Sequence, residues 1–220
     1  MLSRSMSSAP PAVIDKDDLW FLEVVAEFGT PLYMLLLPDV AVALNMRRSH
    51  GLSPEALCEK LASLCERDLI QIRQSVDGGQ VARTREDIAR ALAGSKPRDP
   101  EGFGFLLTAR GGITWEHYAR PDWSRYVSYD GFEPQEGIIN ASSREAAEAA
   151  FQRCMDDGGT EQPLPESKQG EVLVPWRATY WKELPSGYRL RYAWVKRRAD
   201  VLRTITSVRQ PWFSKLVLDG

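Results

Sequence analysis

The stretch SPEALCEKLASLCERDLIQI, Ser53–Ile72, decides how this chain reads. Ser53 suits a helix N-cap, and Pro54 follows at the first helical position, where a missing N–H costs nothing. Leu57, Leu61, Leu64 and Cys65 recur at intervals of three and four, which marks the buried stripe of an amphipathic helix. Leu69–Ser75 then suits a strand. Asp77-Gly78-Gly79 can adopt the positive φ angles of a tight hairpin turn, and Gln80–Arg83 would be the return strand. Upstream, Pro38-Asp39 and His50-Gly51 bracket a shorter helix from Asp39 to about Ser49. The expected order is helix, Gly-containing turn, helix and hairpin.

That order resembles a winged helix-turn-helix. LCERDLIQI at Leu64–Ile72 is similar to the end of the recognition helix and the first wing strand in MarR- and PadR-like regulators. FLLTARGGITWE at Phe105–Glu116 is similar to their Tyr-x-Leu-Thr-x-x-Gly element, which leads into a helix. In those families the Thr element follows the wing closely, whereas here a predicted helix (Thr84–Ala93) and a polar loop intervene. The resemblance covers about half the chain and implies a DNA-reader scaffold in its N-terminal part.

The rest of the chain divides by composition. Residues 1–13 are rich in Ser, Ala and Pro and read as a flexible tail. A first helix is expected over Asp15–Phe28, with Asp15, Asp17 and Asp18 at its positive end. Leu32–Leu37 fits either a short strand pairing with the wing or a helical turn. Trp115, Trp123 and Tyr126 are expected to form a small aromatic core that closes the first domain, residues 14–128. Tyr129–Gly137 reads as a linker into a second domain, residues 129–220. There Ser142 and Glu145 form a capping box for one helix. Glu171–Lys182 and Tyr188–Arg197 alternate as strands around the loop Glu183–Gly187, and Val201–Val208 and Trp212–Leu218 are further strand candidates. The fold class is therefore α+β: a winged helix-turn-helix domain, then a small α+β domain with an antiparallel sheet.

Bulk properties narrow the function. The chain has 220 residues, 28 basic and 30 acidic, for a formal net charge of −2. It is not basic overall, as a dedicated nucleic-acid binder would be. No run approaches the roughly 18 apolar residues of a membrane span, and no apolar leader core follows Arg4. Cys58 and Cys65 lie about 10 Å apart along one helix, beyond disulfide reach, and with Cys154 they make an odd count. A reducing, cytoplasmic setting is the expectation. The only histidines, His50 and His117, have no partner at metal-ligand spacing, and no phosphate loop or Gly-x-Ser-x-Gly elbow occurs. No cofactor, metal or catalytic residue is expected.

Charge placement then separates two binding readings. The helix in the recognition position carries Glu55, Glu59 and Glu66 with Asp68 behind it, against Lys60 and Arg67. Phosphates repel such a surface. The wing offers Arg73, Arg83 and Arg85, and Arg47-Arg48 could reach a backbone. In the C-terminal part Arg177, Arg189, Arg191, Arg197 and Arg198 belong to a run of cations faced in sequence only by Glu183 and Asp200. The plainer view is a solvated sheet face balanced by the acidic loop Asp156–Glu171; the functional view is a docking face for an acidic partner. The first hypothesis is a non-catalytic protein-binding module, of adaptor or immunity type by class analogy. The alternative is a DNA-binding regulator that uses Arg47, Arg48, Arg73, Arg83 and Arg85, with the C-terminal domain as sensor or dimeriser.

Overall fold

The computed structural model describes residues 10–76, 79–130, 135–156, 161–196 and 212. Helices and antiparallel strands are mixed, so the chain is α+β. Contacts divide it between Arg120 and Pro121 into two compact units. The expected division was at residue 128, and the three aromatics expected to close the first domain fall on either side of the observed one. Trp115 is fully buried in the first unit, whereas Trp123 and Tyr126 pack on Trp212 at 4.7 and 4.6 Å between ring centroids. Tyr126 also stacks on Trp176 at 5.9 Å.

In the first unit, α1 (Lys16–Val24) is capped by Asp15, whose side chain accepts from the Asp18 backbone N–H, and the reciprocal bond completes a capping box. The helix stops four residues before the expected Phe28. β1 (Thr30–Pro31) and a 3-10 turn at Leu32–Leu36 follow, so of the two expectations for Leu32–Leu37 the helical turn is the one that forms, with a two-residue strand ahead of it. α2 is a single turn, Val40–Ala43, where a helix to about Ser49 was expected. Asn45 ends it in the left-handed conformation with φ 51°. Met46 N–H donates to Ala41 C=O at 2.7 Å and Asn45 N–H to Val42 C=O at 3.1 Å, which satisfies the last carbonyls as a Schellman motif.

α3 (Pro54–Glu66) has Ser53 as N-cap, as its sequence dictates, and buries Leu57, Cys58, Leu61, Ala62 and Leu64. It ends by the same device: Asp68 has φ 55°, and Leu69 N–H donates to Leu64 C=O at 2.9 Å. β2 (Ile70–Gln74) and β3 (Val81–Ala82) follow; Asp77 and Gly78 of the expected turn lie outside the described residues. α4 (Arg85–Gly94), capped by Thr84, β4 (Phe103–Leu107) and α5 (Ala109–Ala119), capped by Thr108, complete the unit. The sheet order is β1-β4-β2-β3. β4 therefore closes directly on β2, and the β3–α4 segment is an insertion between two paired strands. Ile70, Ile72, Phe105 and Leu107 are buried from this sheet.

In the second unit β5 (Val127–Asp130) pairs with β6 (Glu136–Ala141), so part of the expected linker is strand. α6 (Arg144–Asp156) is capped by Ser143, one residue later than expected, through a 3.1 Å bond from the Ala146 N–H. Ser142 Oγ instead donates to the Ser124 carbonyl. β7 (Glu161–Pro163) lies in what reads as a polar loop, and β8 (Gln169–Leu173) starts two residues ahead of the expected strand Glu171–Lys182. The expected strand Glu171–Lys182 is broken at Val174-Pro175, because proline offers no ladder N–H. Its remainder, β9 (Trp176–Arg177), pairs with β10 (Glu183–Leu184). β11 (Gly187–Lys196) is the central strand, with β6 on one side and β7 and β8 on the other. Tyr188, Leu190, Tyr192 and Trp194 turn to the core under α6, as their alternation predicts. The candidate strand Val201–Val208, and Trp212–Leu218 apart from Trp212, lie outside the described residues.

Candidate functional site

The surface of α3 is built by what lies beneath it. Asp18, on the buried face of α1, has a side chain only 3 % exposed. It draws in Lys60 of α3 and Arg67, the residue that caps that helix's C-terminus: Lys60 Nζ donates at 3.0 Å and Arg67 Nη1 at 2.7 Å. Lys60 also reaches Asp15 at 3.3 Å, and Arg67 Nη2 donates to the Val13 carbonyl at 2.7 Å. Burial opposes ionisation of Asp15, but the Asp18 backbone N–H and Lys60 outweigh it and hold its carboxyl below the usual range. Burial likewise works against the Lys60 ammonium, and the two aspartates reverse that and raise it.

With its cations folded under, α3 shows solvent a line of carboxylates. Glu55, Glu59 and Glu66 share one helical stripe and are exposed, as is Asp68 behind them. The helix's own N-terminal backbone N–H and Ser53 hold Glu55 below its ordinary range, so it is firmly anionic. The face is more acidic than sequence composition implies. The signal that could have revealed this was Asp18 itself, a carboxylate among Leu19, Phe21 and Leu22 on an otherwise apolar helix face. Such a group needs a cationic partner from elsewhere in the fold.

The predicted DNA-contacting arginines do not act as one set. Arg85 Nη2 is paired with Glu59 at 2.8 Å and Arg48 Nη2 with Asp17 at 2.9 Å. Arg47, Arg73 and Arg83 are exposed and hold no carboxylate among the described residues. Arg73 lies on β2 opposite Val81 of β3, with Arg83 just beyond, so the hairpin carries two unneutralised charges.

Of the five predicted docking arginines of the second unit three are described, and two of those, Arg189 and Arg191, meet a carboxylate. Arg189 lies directly opposite Asn140 on β6 and Glu171 on β8. Its Nε donates to Asn140 Oδ1 at 2.9 Å and its Nη1 to Glu171 at 3.1 Å, while Asn140 Nδ2 donates to Asp130 at 2.8 Å. One polar ladder thus crosses β5, β6, β11 and β8. Arg191 pairs with Glu136 at 3.4 Å. Arg177 stands apart in the β9–β10 hairpin and donates to the Tyr180 carbonyl at 2.6 Å. Arg197 and Arg198 lie outside the described residues. Sequence reading missed Glu136, Asp130 and Asn140 because cross-strand neighbours are set by register, which is not visible until the strands are paired.

The groups most able to do chemistry are occupied structurally. His50 Nδ1 accepts from the Leu52 N–H at 3.0 Å, so its Nε2 carries the proton and donates to the Leu35 carbonyl at 3.0 Å. Burial pushes the Cys65 thiol up to about 12, far from a reactive thiolate. Among the described residues no group of three or more His, Cys, Asp or Glu is placed to hold a metal ion. An open cleft of about 630 Å³ beside α4 is lined by Gln74, Asp87, Arg90, Asp99, Glu101 and Phe103. Its Asp87 already accepts from the Thr84 backbone N–H and from Arg90. No helix among the described residues is long and apolar enough to cross a membrane. Family models, curated proteins and solved structures were all compared with the chain, and none matches it.

Proposed function

We propose that this chain is a non-catalytic protein-binding module whose first unit is a winged-helix scaffold. The scaffold reading is supported by the order α1, β1, α2, α3, β2, β4 and by β4 lying between β1 and β2. On this reading α3 occupies the recognition position, β2 and β4 are the wing strands, and β3–α4 is a helical insert in the wing. The insert accounts for the separation between the two family-like motifs.

One observation carries the choice of partner: Lys60 and Arg67 are bound underneath by Asp15 and Asp18, while Glu55 and Glu66 face out with no cation on them among the described residues and only Glu59 is met by one, Arg85. A face of that sign repels phosphates and complements a basic protein surface. The sheet arginines first suggested an acidic partner, but Glu171 and Glu136 already meet Arg189 and Arg191. The partner's chemistry is therefore set by α3. The test is a photo-crosslinking residue placed at Glu59 and, separately, at Arg73. The reading expects a discrete protein adduct from Glu59, lost when Glu55 and Glu66 are both changed to Lys. Nucleic-acid adducts from Arg73, with none of protein from Glu59, would overturn it.

A second reading, a DNA-binding regulator, is favoured by the unneutralised pair Arg73 and Arg83 on the β2–β3 hairpin. It relies on wing contacts to the backbone without help from α3. Two phosphate contacts give a shallow salt slope of about −2.

A further inference from the structure

We infer that β8 pairs with β8 of a second copy of this chain, so that two copies share one continuous sheet across a two-fold axis. β8 is an outer strand of its sheet, with β11 its only neighbour among the described residues. The backbone directions follow from hydrogen bonds on either side of β11. Leu164 N–H donates to Ala193 C=O from the β7 side, and Trp194 N–H donates to Gln135 C=O on the β6 side. Alternation then aims Arg191, Arg189 and Gly187 at β8, where they meet Gln169, Glu171 and Leu173. Gly170 and Val172, between those partners, must aim their N–H and C=O groups outward. No hydrogen bond occupies those four groups among the described residues.

Natural edge strands are blunted by Lys, Pro, a bulge or extreme shortness. β1 and β3 are two residues long, and β7 contains Pro163. β8 has none of these protections: it runs five residues in one-for-one register with β11, and its single charge, Glu171, is bound to Arg189. Instead it presents Val172 at 68 % exposure, and Val174 just beyond at 73 %. Val172 lies on the same face as its partner Tyr188, whose ring also covers Gly170 so closely that a Cβ there would lie 1.9 Å from the phenol oxygen. The edge is a strip of open backbone with an apolar face beside it.

Charge and symmetry select a second copy as the occupant. A two-fold axis makes the same patch meet itself, so outward-aimed residues must face outward-aimed residues. Centring the axis on Glu171 sets two carboxylates directly opposite, which is unfavourable. Centring it on Val172 sets Val172 against Val172, Glu171 against Leu173, and Gly170 against Val174. No like charges then face one another, and the exposed valines of both copies are covered. This pairing is independent of what binds α3, and its failure would leave the proposed function untouched.

The test uses the full chain. Light scattering across a concentration series should give a dimer for the wild type. Val172→Lys should weaken association about tenfold or more, with an unchanged circular dichroism melt, since Val172 is largely solvent-exposed. Val172→Cys should form an intermolecular disulfide under mild oxidation where the wild type does not, because paired strands bring the two positions within bridging distance. A wild type that stays monomeric, or a dimer that survives Val172→Lys with no disulfide from Val172→Cys, would overturn the inference.

Discussion

Asp18 is the residue on which the surface of the first unit turns. Its carboxylate is buried between α1 and α3 and accepts from Lys60 and Arg67, whose side chains remain 21 % and 33 % exposed. Removing one partner of a buried pair costs about 3–5 kcal/mol. Because these cations keep part of their surface in water, Asp18→Asn should cost about 2–3 kcal/mol, read as a lower urea midpoint with unchanged slope. The same change should release two cations to solvent and make the α3 face less acidic. The neighbouring contact sets a pH window. Asp15 is lowered from its ordinary 3.8, so its contribution is present above that value and fades as pH falls through the folded one. Lys60 is raised from 10.5, so its contribution is present below that value and is lost as pH rises through the folded one. The stability difference between wild type and Lys60→Met should therefore be flat from about pH 5 to 8 and shrink at both extremes. A difference that grows on acidification would contradict the assignment.

At the scale of elements, α3 is held at its C-terminal end by α5. Arg110 Nη1 donates to the Arg67 carbonyl at 3.1 Å, the Thr108 hydroxyl donates to the Asp68 carbonyl, and Thr108 N–H donates to the Leu69 carbonyl at 3.2 Å. Gly111 permits this approach: a Cβ there would lie 1.8 Å from the Leu69 carbonyl oxygen. Backbone cannot yield as a flexible side chain does, so Gly111→Ala should cost about 1–3 kcal/mol. A melting temperature within a degree of wild type would show that α5 is not seated there. Elements set by local chemistry were legible in the sequence: Ser53-Pro54 starts α3, Thr84 and Thr108 cap their helices, and alternation places Tyr188, Leu190, Tyr192 and Trp194 in the core. Elements that depend on a left-handed residue were not. Asn45 is a residue type that tolerates the left-handed position, but His50-Gly51 offers a competing stop farther along, and nothing local to Gly111 marks its close approach to Leu69.

For the whole molecule, an α+β chain was legible because helical and alternating periods separate along it. The acidic character of α3 was legible too, but not its extent, since the bonds from Asp15 and Asp18 to Lys60 and Arg67 span more than forty positions. The basic character of the second unit was overread for the converse reason: Glu136 and Glu171 reach Arg191 and Arg189 only across paired strands. Both errors come from charges that meet through tertiary structure. The central claim is that α3 presents a surface of the wrong sign for a polyanion. Its most direct test is a titration of the full chain with labelled duplex DNA at roughly 50 and 200 mM salt. No saturable binding is expected at the lower salt, or at most a weak association that Arg73→Ala with Arg83→Ala removes. Tight binding with a steep salt dependence, weakened when Glu55 and Glu59 are left intact but Lys60 and Arg67 are changed to Ala, would contradict it.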